Sequence, residues 1–146
     1  MEYRVKVEKM RQIIEAVFER AGLKTVDAKR VIDNLLFADM RGIYSHGLVK
    51  VPTYVRWIEE GKIKISPQIQ VVQESEGCTT IDADFAPGSV AGVHAMDCTI
   101  EKAKKHGLAM TTVKNGTHFG AAAYYALRAV KENMIGNHQV KITAFM

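Results

Sequence analysis

Three glycines, Gly22, Gly42 and Gly61, cut the start of the chain into segments of helical length, and this punctuation limits the fold more than any other feature. In the first segment Met10, Ile13, Ile14, Val17, Phe18 and Ala21 recur at the spacing that lines one face of a helix. Gly22 follows as a left-handed stop. Thr25 is placed to cap a second helix with Ala28, Val31, Ile32, Leu35 and Leu36 on its apolar face, closed by Gly42. Ser45 is placed to cap a third, running through Leu48, Val51, Val55 and Ile58 to Gly61. Pro52 fits that helix only in its first turn or at a bend, because it lacks an N–H and clashes with the preceding turn.

The pattern then changes. Residues Ile69 to Gln73 and Cys78 to Asp82 are β-prone, and Glu74-Ser75-Glu76-Gly77 between them reads as a hairpin turn. A long amphipathic helix is expected from Ser89 to Lys105, with Val93, Met96, Ile100 and Ala103 on one side. A strand is expected from Leu108 to Val113, a helix from Gly120 to Glu132, and the start of a further strand from Ile135 to Phe145. The expected fold class is α/β. An N-terminal helical layer (residues 1–65) precedes a mixed α/β segment (66–146), the two forming one compact unit. At 146 residues the chain suits a single domain with a real core.

Composition excludes several function classes. No apolar run approaches the roughly 20 residues that cross a bilayer, and the N-terminus lacks a signal peptide's apolar core. A cytoplasmic location is the expectation, with no membrane partner. The net charge of +4 favours anionic ligands. Its cations alternate with acids, as in Arg56-Trp57-Ile58-Glu59-Glu60, so no basic stripe tracks phosphates and no nucleic-acid partner is expected. Cys78 and Cys98 match no zinc spacing and are expected to be reduced and partly buried. No His/Cys/Asp cluster suggests a metal.

The chemistry concentrates in two stretches. The first runs Asp39-Met40-Arg41-Gly42-Ile43-Tyr44-Ser45-His46-Gly47, followed by Lys50, Pro52 and Tyr54. His46 can give or take a proton near neutral pH. Ser45 beside it can orient the ring, bind substrate or cap the helix. Lys50 and Tyr54 follow at successive intervals of four, which puts all three on one face of the expected third helix. Lys50 then reads either as a carboxylate ligand or as a surface lysine, and Tyr54 either as a pocket hydroxyl or as a core aromatic. Asp39 and Arg41 read as an ion pair or a loop brace about the turn at Gly42.

The second stretch is Asn115-Gly116-Thr117-His118-Phe119-Gly120, leading into Ala121-Ala122-Ala123. His118 is placed to open a helix whose small first residues leave free N–H groups for an anion. Asn115-Gly116 alone reads as a tight turn. Gly88-Ser89-Val90-Ala91-Gly92 matches neither a Walker motif nor Gly-x-Gly-x-x-Gly, and is read as close packing. His94, His106 and His138 show no metal or catalytic spacing and are expected at the surface.

Taken in order, Asp-x-Arg-Gly-x-x-Ser-His-Gly and Asn-x-x-His-Phe-Gly resemble motifs of the malate/L-lactate dehydrogenase family, over roughly Val5 to Ile135. That resemblance implies a non-Rossmann dehydrogenase fold. The activity implied is hydride transfer between NAD or NADP and a small 2-hydroxy or 2-oxo acid. His46 with Ser45 is implied as the proton-transfer unit, Lys50 and Tyr54 as substrate contacts, and Asn115, His118 and Gly120 as cofactor contacts. A homodimer packed through the helical layer is implied as well. Lys50 departs from the family's arginine, replacing a two-pronged carboxylate grip with a mobile point charge. Family members extend well beyond residue 146, so a truncated version of the fold is expected. A non-catalytic relic or a dimerisation and interaction module stands as the alternative function. The isolated chain is expected to bind NAD(P)H weakly or not at all.

Overall fold

The computed structural model describes residues 5–139. Helices α1 (Val7–Arg20) and α2 (Thr25–Asp39) form an antiparallel pair closed by a short turn. Their facing stripes bury Ile14 and Phe18 against Ala28, Val31, Ile32 and Leu35. Ile13, expected on that stripe, is about half exposed at 47%. The three stop glycines hold the expected left-handed backbone, with φ of 100° at Gly22, 73° at Gly42 and 69° at Gly61. Thr25 is not a cap. Lys24 occupies that position without a side-chain bond, while Thr25 Oγ1 donates to the Glu19 carboxylate at 2.5 Å and ties the turn to α1.

The expected third helix is broken. Residues Tyr44–His46 and Leu48–Lys50 form two single 3₁₀ turns, and only then does α3 (Val51–Glu59) begin. The reason lies in one captured donor. Asp39, at the end of α2, accepts the Leu48 N–H at 2.9 Å, which a continuous helix would have given to Tyr44. Gly47 between the turns is extended, with ψ −151°. Pro52 then falls in the first turn of α3, where its missing N–H costs nothing. His46 therefore lies on a turn, and the shared helix face expected for His46, Lys50 and Tyr54 does not exist.

The mixed segment follows the sequence expectation more closely. β1 (Gln70–Glu74) and β2 (Cys78–Asp82) form an antiparallel hairpin. β2 then leads into α4 (Gly88–His106), whose left-handed C-cap is Gly107. β3 (Met110–Lys114) pairs parallel to β2 on its other side, giving the order β1-β2-β3. α5 (Ala123–Lys131) begins later than expected, so Gly116 to Ala121 is irregular chain and His118 does not open a helix. Residues 135–139 are not a strand, and the remainder of the strand expected there lies outside the described residues. Cys78 is exposed rather than partly buried, and Cys98 is half-buried.

Val90 of α4 joins the cluster built by α1, α2 and α3, so α4 bridges the helical layer and the sheet. A second cluster packs Val93, Met96 and Ile100 of α4 on Tyr125 and Ala129 of α5. Phe18, Ile32 and Leu35 are less than 2% exposed. Burying each such side chain contributes roughly 1.5–3 kcal/mol. These contacts place the 3₁₀ turns beside the irregular chain that precedes α5.

Candidate active site

Asp39 shapes the first half of the site. A Cβ at Gly47 would fall inside the Asp39 carboxylate, so only glycine lets that carboxylate reach the Leu48 N–H. Asp39 is thus a loop brace. Arg41 lies over the Phe37 ring at 3.6 Å from its centroid and donates to the Phe37 carbonyl, away from Asp39. Held this way, the turn presents Ser45 exposed and His46 and Lys50 half-buried.

The second half is held from three directions. Asn115, in a left-handed conformation with φ 52°, donates its amide to both Asp82 carboxylate oxygens at 3.0 Å. The Asp84 N–H, Asn115 and Lys114 together hold the Asp82 carboxyl below its usual range. Thr117 donates to the Ala86 carbonyl at 2.9 Å, and Gly88 lies against the His118 backbone with no room for a Cβ. Asn34 of α2, 1% exposed, accepts the Ala121 N–H at 3.0 Å. Gly120, with φ 77°, fits against Asn34 where a side chain would collide.

The outcome is a pair of imidazoles. The His46 and His118 rings lie 5.5 Å apart between centroids, inclined by 31°. Each is anchored through Nδ1 to a hydroxyl. Ser45 Oγ is 2.9 Å from Nδ1 of His46, and Tyr54 Oη is 2.6 Å from Nδ1 of His118. Burial, then the charges of His46 and Lys50, hold His118 below the ordinary histidine range. Burial pushes the Tyr54 phenol well above the ordinary tyrosine range. Lys50 has no carboxylate partner among the described residues. The arrangement offers two imidazoles and an unpaired cation in one half-buried place. That set suits proton exchange next to an anionic group.

Ser45, His46, Lys50, Tyr54 and His118 therefore converge. Asn115 and Gly120 serve the shape of the loop in this geometry. Asn34 and Asp82 were missed from sequence. Asn34 had a signal, as a polar residue one turn from Val31 and Ala38 on the apolar side of α2. Asp82 had none, because its side-chain partners Lys114 and Asn115 come from β3 and the loop after it. His138, expected at the surface, is half-buried and stacks on Phe119 and Tyr125 at 4.7 Å and 5.0 Å. Among the described residues no group of histidines, cysteines and carboxylates is arranged to hold a metal, and no helix is long and apolar enough to cross a membrane.

Known proteins carry the same framework. Residues 5–146 match the malate/L-lactate dehydrogenase family. A malate dehydrogenase of Pyrococcus abyssi is 40% identical over 133 residues, covering 91% of this chain and 37% of that enzyme. An L-sulfolactate dehydrogenase of Methanocaldococcus jannaschii is 36% identical over 132 residues, covering 90% of this chain and 38% of its own length. The solved malate dehydrogenase of Pyrococcus horikoshii superposes with a TM-score of 0.87 at 38% identity, covering 89% of this chain and 37% of that one. The chain thus spans less than two-fifths of the length of these relatives. With the family match running over residues 5–146 and the backbone superposing on a solved member, the chain belongs to the malate/L-lactate dehydrogenase family.

Proposed function

We propose that this chain carries the substrate half of an NAD- or NADP-dependent oxidoreductase acting on a small 2-hydroxy or 2-oxo acid. The carrying observation is the imidazole pair beside the unpaired Lys50. The relatives are malate, sulfolactate and hydroxycarboxylate dehydrogenases, whose names share an anionic hydroxy acid.

Converting an alcohol to a ketone removes a proton from oxygen and a hydride from carbon. His46 is assigned the proton. Ser45 occupies its Nδ1, so Nε2 remains to meet the substrate oxygen. Lys50 holds the substrate carboxylate by charge, without the planar two-bond geometry of an arginine. A bound NAD or NADP supplies the hydride acceptor or donor. The donors present fit its reactive end. The backbone N–H groups of Thr117, His118 and Phe119 have no intramolecular partner among the described residues, and they lie beside the imidazoles. No cluster of cations for its phosphates accompanies them among the described residues, so the isolated chain is expected to bind NAD(P)H weakly.

The test is a titration of the ¹⁵N-labelled chain with small 2-oxo and 2-hydroxy dicarboxylates, with and without NADH or NADPH. The expected result is selective shifts at His46, Lys50 and His118. Lys50→Ala is expected to weaken binding by about tenfold or more, since a charge-assisted hydrogen bond contributes roughly 1.5–3 kcal/mol. A steady-state assay of NAD(P)H oxidation accompanies it, and His46→Gln is expected to abolish any turnover found. An unperturbed site at saturating acid would overturn the reading and favour a non-catalytic interaction module.

A further inference from the structure

We propose that Tyr54 is a positioning residue that locks His118 into the tautomer carrying its proton on Nε2. His118 is thereby a fixed hydrogen-bond donor, and the proton exchange is left to His46. Tyr54 lies in α3 and is only 6% exposed, packed in the main core among Val51, Ile63 and Val90. Its hydroxyl has one hydrogen-bond partner among the described residues, Nδ1 of His118 at 2.6 Å.

A phenol has one hydrogen to place. If Nδ1–H of His118 donated to the phenol oxygen, the phenolic hydrogen would be left without an acceptor. Leaving a buried donor unmade forfeits its hydrogen bond to water with nothing in return. The phenol therefore donates and Nδ1 accepts. A neutral imidazole that accepts at Nδ1 carries its hydrogen at Nε2. Protonating His118 would put a hydrogen on Nδ1 and break this bond, so the contact also opposes its charging.

The two imidazoles are thereby unequal. Ser45, which holds His46, is exposed, and its hydroxyl can turn to donate or accept. Tyr54, which holds His118, is clamped by the core. The Ser45 hydroxyl can follow either tautomer of His46, whereas the clamped phenol commits His118 to donating. A carbonyl or carboxylate oxygen placed between the rings meets a proton carrier on one side and a standing donor on the other. This use of the pair rests on the dehydrogenase reading, whereas the tautomer itself rests only on the contact.

The test reads the tautomer without turnover. Long-range ¹H–¹⁵N correlation spectra of the labelled 146-residue chain in mildly alkaline buffer should show His118 as one species, with a protonated-type Nε2 and an unprotonated-type Nδ1. In Tyr54→Phe the two nitrogen shifts should move toward each other as the second tautomer appears, while the His46 shifts stay in place. A wild-type Nδ1–H tautomer, or unchanged His118 shifts in a folded Tyr54→Phe variant, would overturn the proposal. A second readout needs no substitution. The Tyr54 phenolic proton should exchange with solvent far more slowly than that of exposed Tyr44, and exchange at the same rate would equally overturn it. If the acid titration fails while the tautomer stands, the dehydrogenase reading falls and this assignment survives.

Discussion

At Gly47 the absence of a single methyl group decides where His46 points. The Asp39 carboxylate occupies the space a side chain would need and from there accepts the Leu48 N–H. Gly47→Ala must displace that carboxylate, losing the bond and straining a well-packed turn. Overpacking of this kind costs roughly 1–3 kcal/mol. The variant is expected to unfold at lower urea than the parent, with Asp39→Ala showing a similar loss. A Gly47→Ala midpoint equal to the parent's would contradict this account of the turn. The residue pattern announced the chemistry here, since Ser45, His46 and Lys50 could be singled out by type and order. It did not announce the geometry. Spacing of four implied a helix, and the capture of one backbone donor by a residue nine positions away prevented it.

Between elements, the decisive contact runs from α2 to the loop before α5. Asn34 reaches across 87 positions of sequence to the Ala121 N–H, and its own Nδ2 has no partner among the described residues. Removing the acceptor leaves a buried donor unsatisfied, which costs about 1–3 kcal/mol. Asn34→Ala is therefore expected to destabilise the chain by that order and to speed hydrogen exchange of the Ala121 amide selectively. Unchanged protection at Ala121 would show that something else holds the loop. Helices α1, α2 and α4 were legible because long amphipathic periodicity and terminal glycines coincide in them. The hairpin was legible from its β-prone runs on either side of a short turn. The start of α5 was not, because Gly120 and its alanines are compatible with helix but are held outside it by Asn34 and by the bond from Tyr125 to the Phe119 carbonyl.

For the molecule as a whole, two half-buried histidines set the response to acid. Burial lowers His118, assisted by the charges of His46 and Lys50, and burial alone lowers His138. In each case the folded state resists protonation more than the unfolded chain does. Below the unfolded value of 6.5 the unfolded chain therefore binds more protons, and stability falls as pH falls. The loss begins near that value and continues down to the lowered folded values. Asp82 and Asp84, also lowered, add their own loss further down, below 3.8. Urea midpoints taken at stepwise lower pH should decline first in the histidine window, and His138→Gln should flatten that first decline. A flat profile between neutrality and the carboxylate range would refute the burial of these rings.

The sequence by itself determined the family, the helical layer and the hairpin, and it named the residues that carry the candidate chemistry. These follow from short-range periodicity, glycine stops and residue identity, all of which act within a few positions along the chain. Only the tertiary structure decided that His46 sits on a turn, that Tyr54 serves His118, and that Asn34 and Asp82 hold the second motif in place. Those outcomes depend on a few hydrogen bonds between separate elements, nine positions apart for Asp39 and Leu48 and more than thirty apart for the others. Such bonds form only once hydrophobic packing has brought the elements together, so no local pattern encodes them.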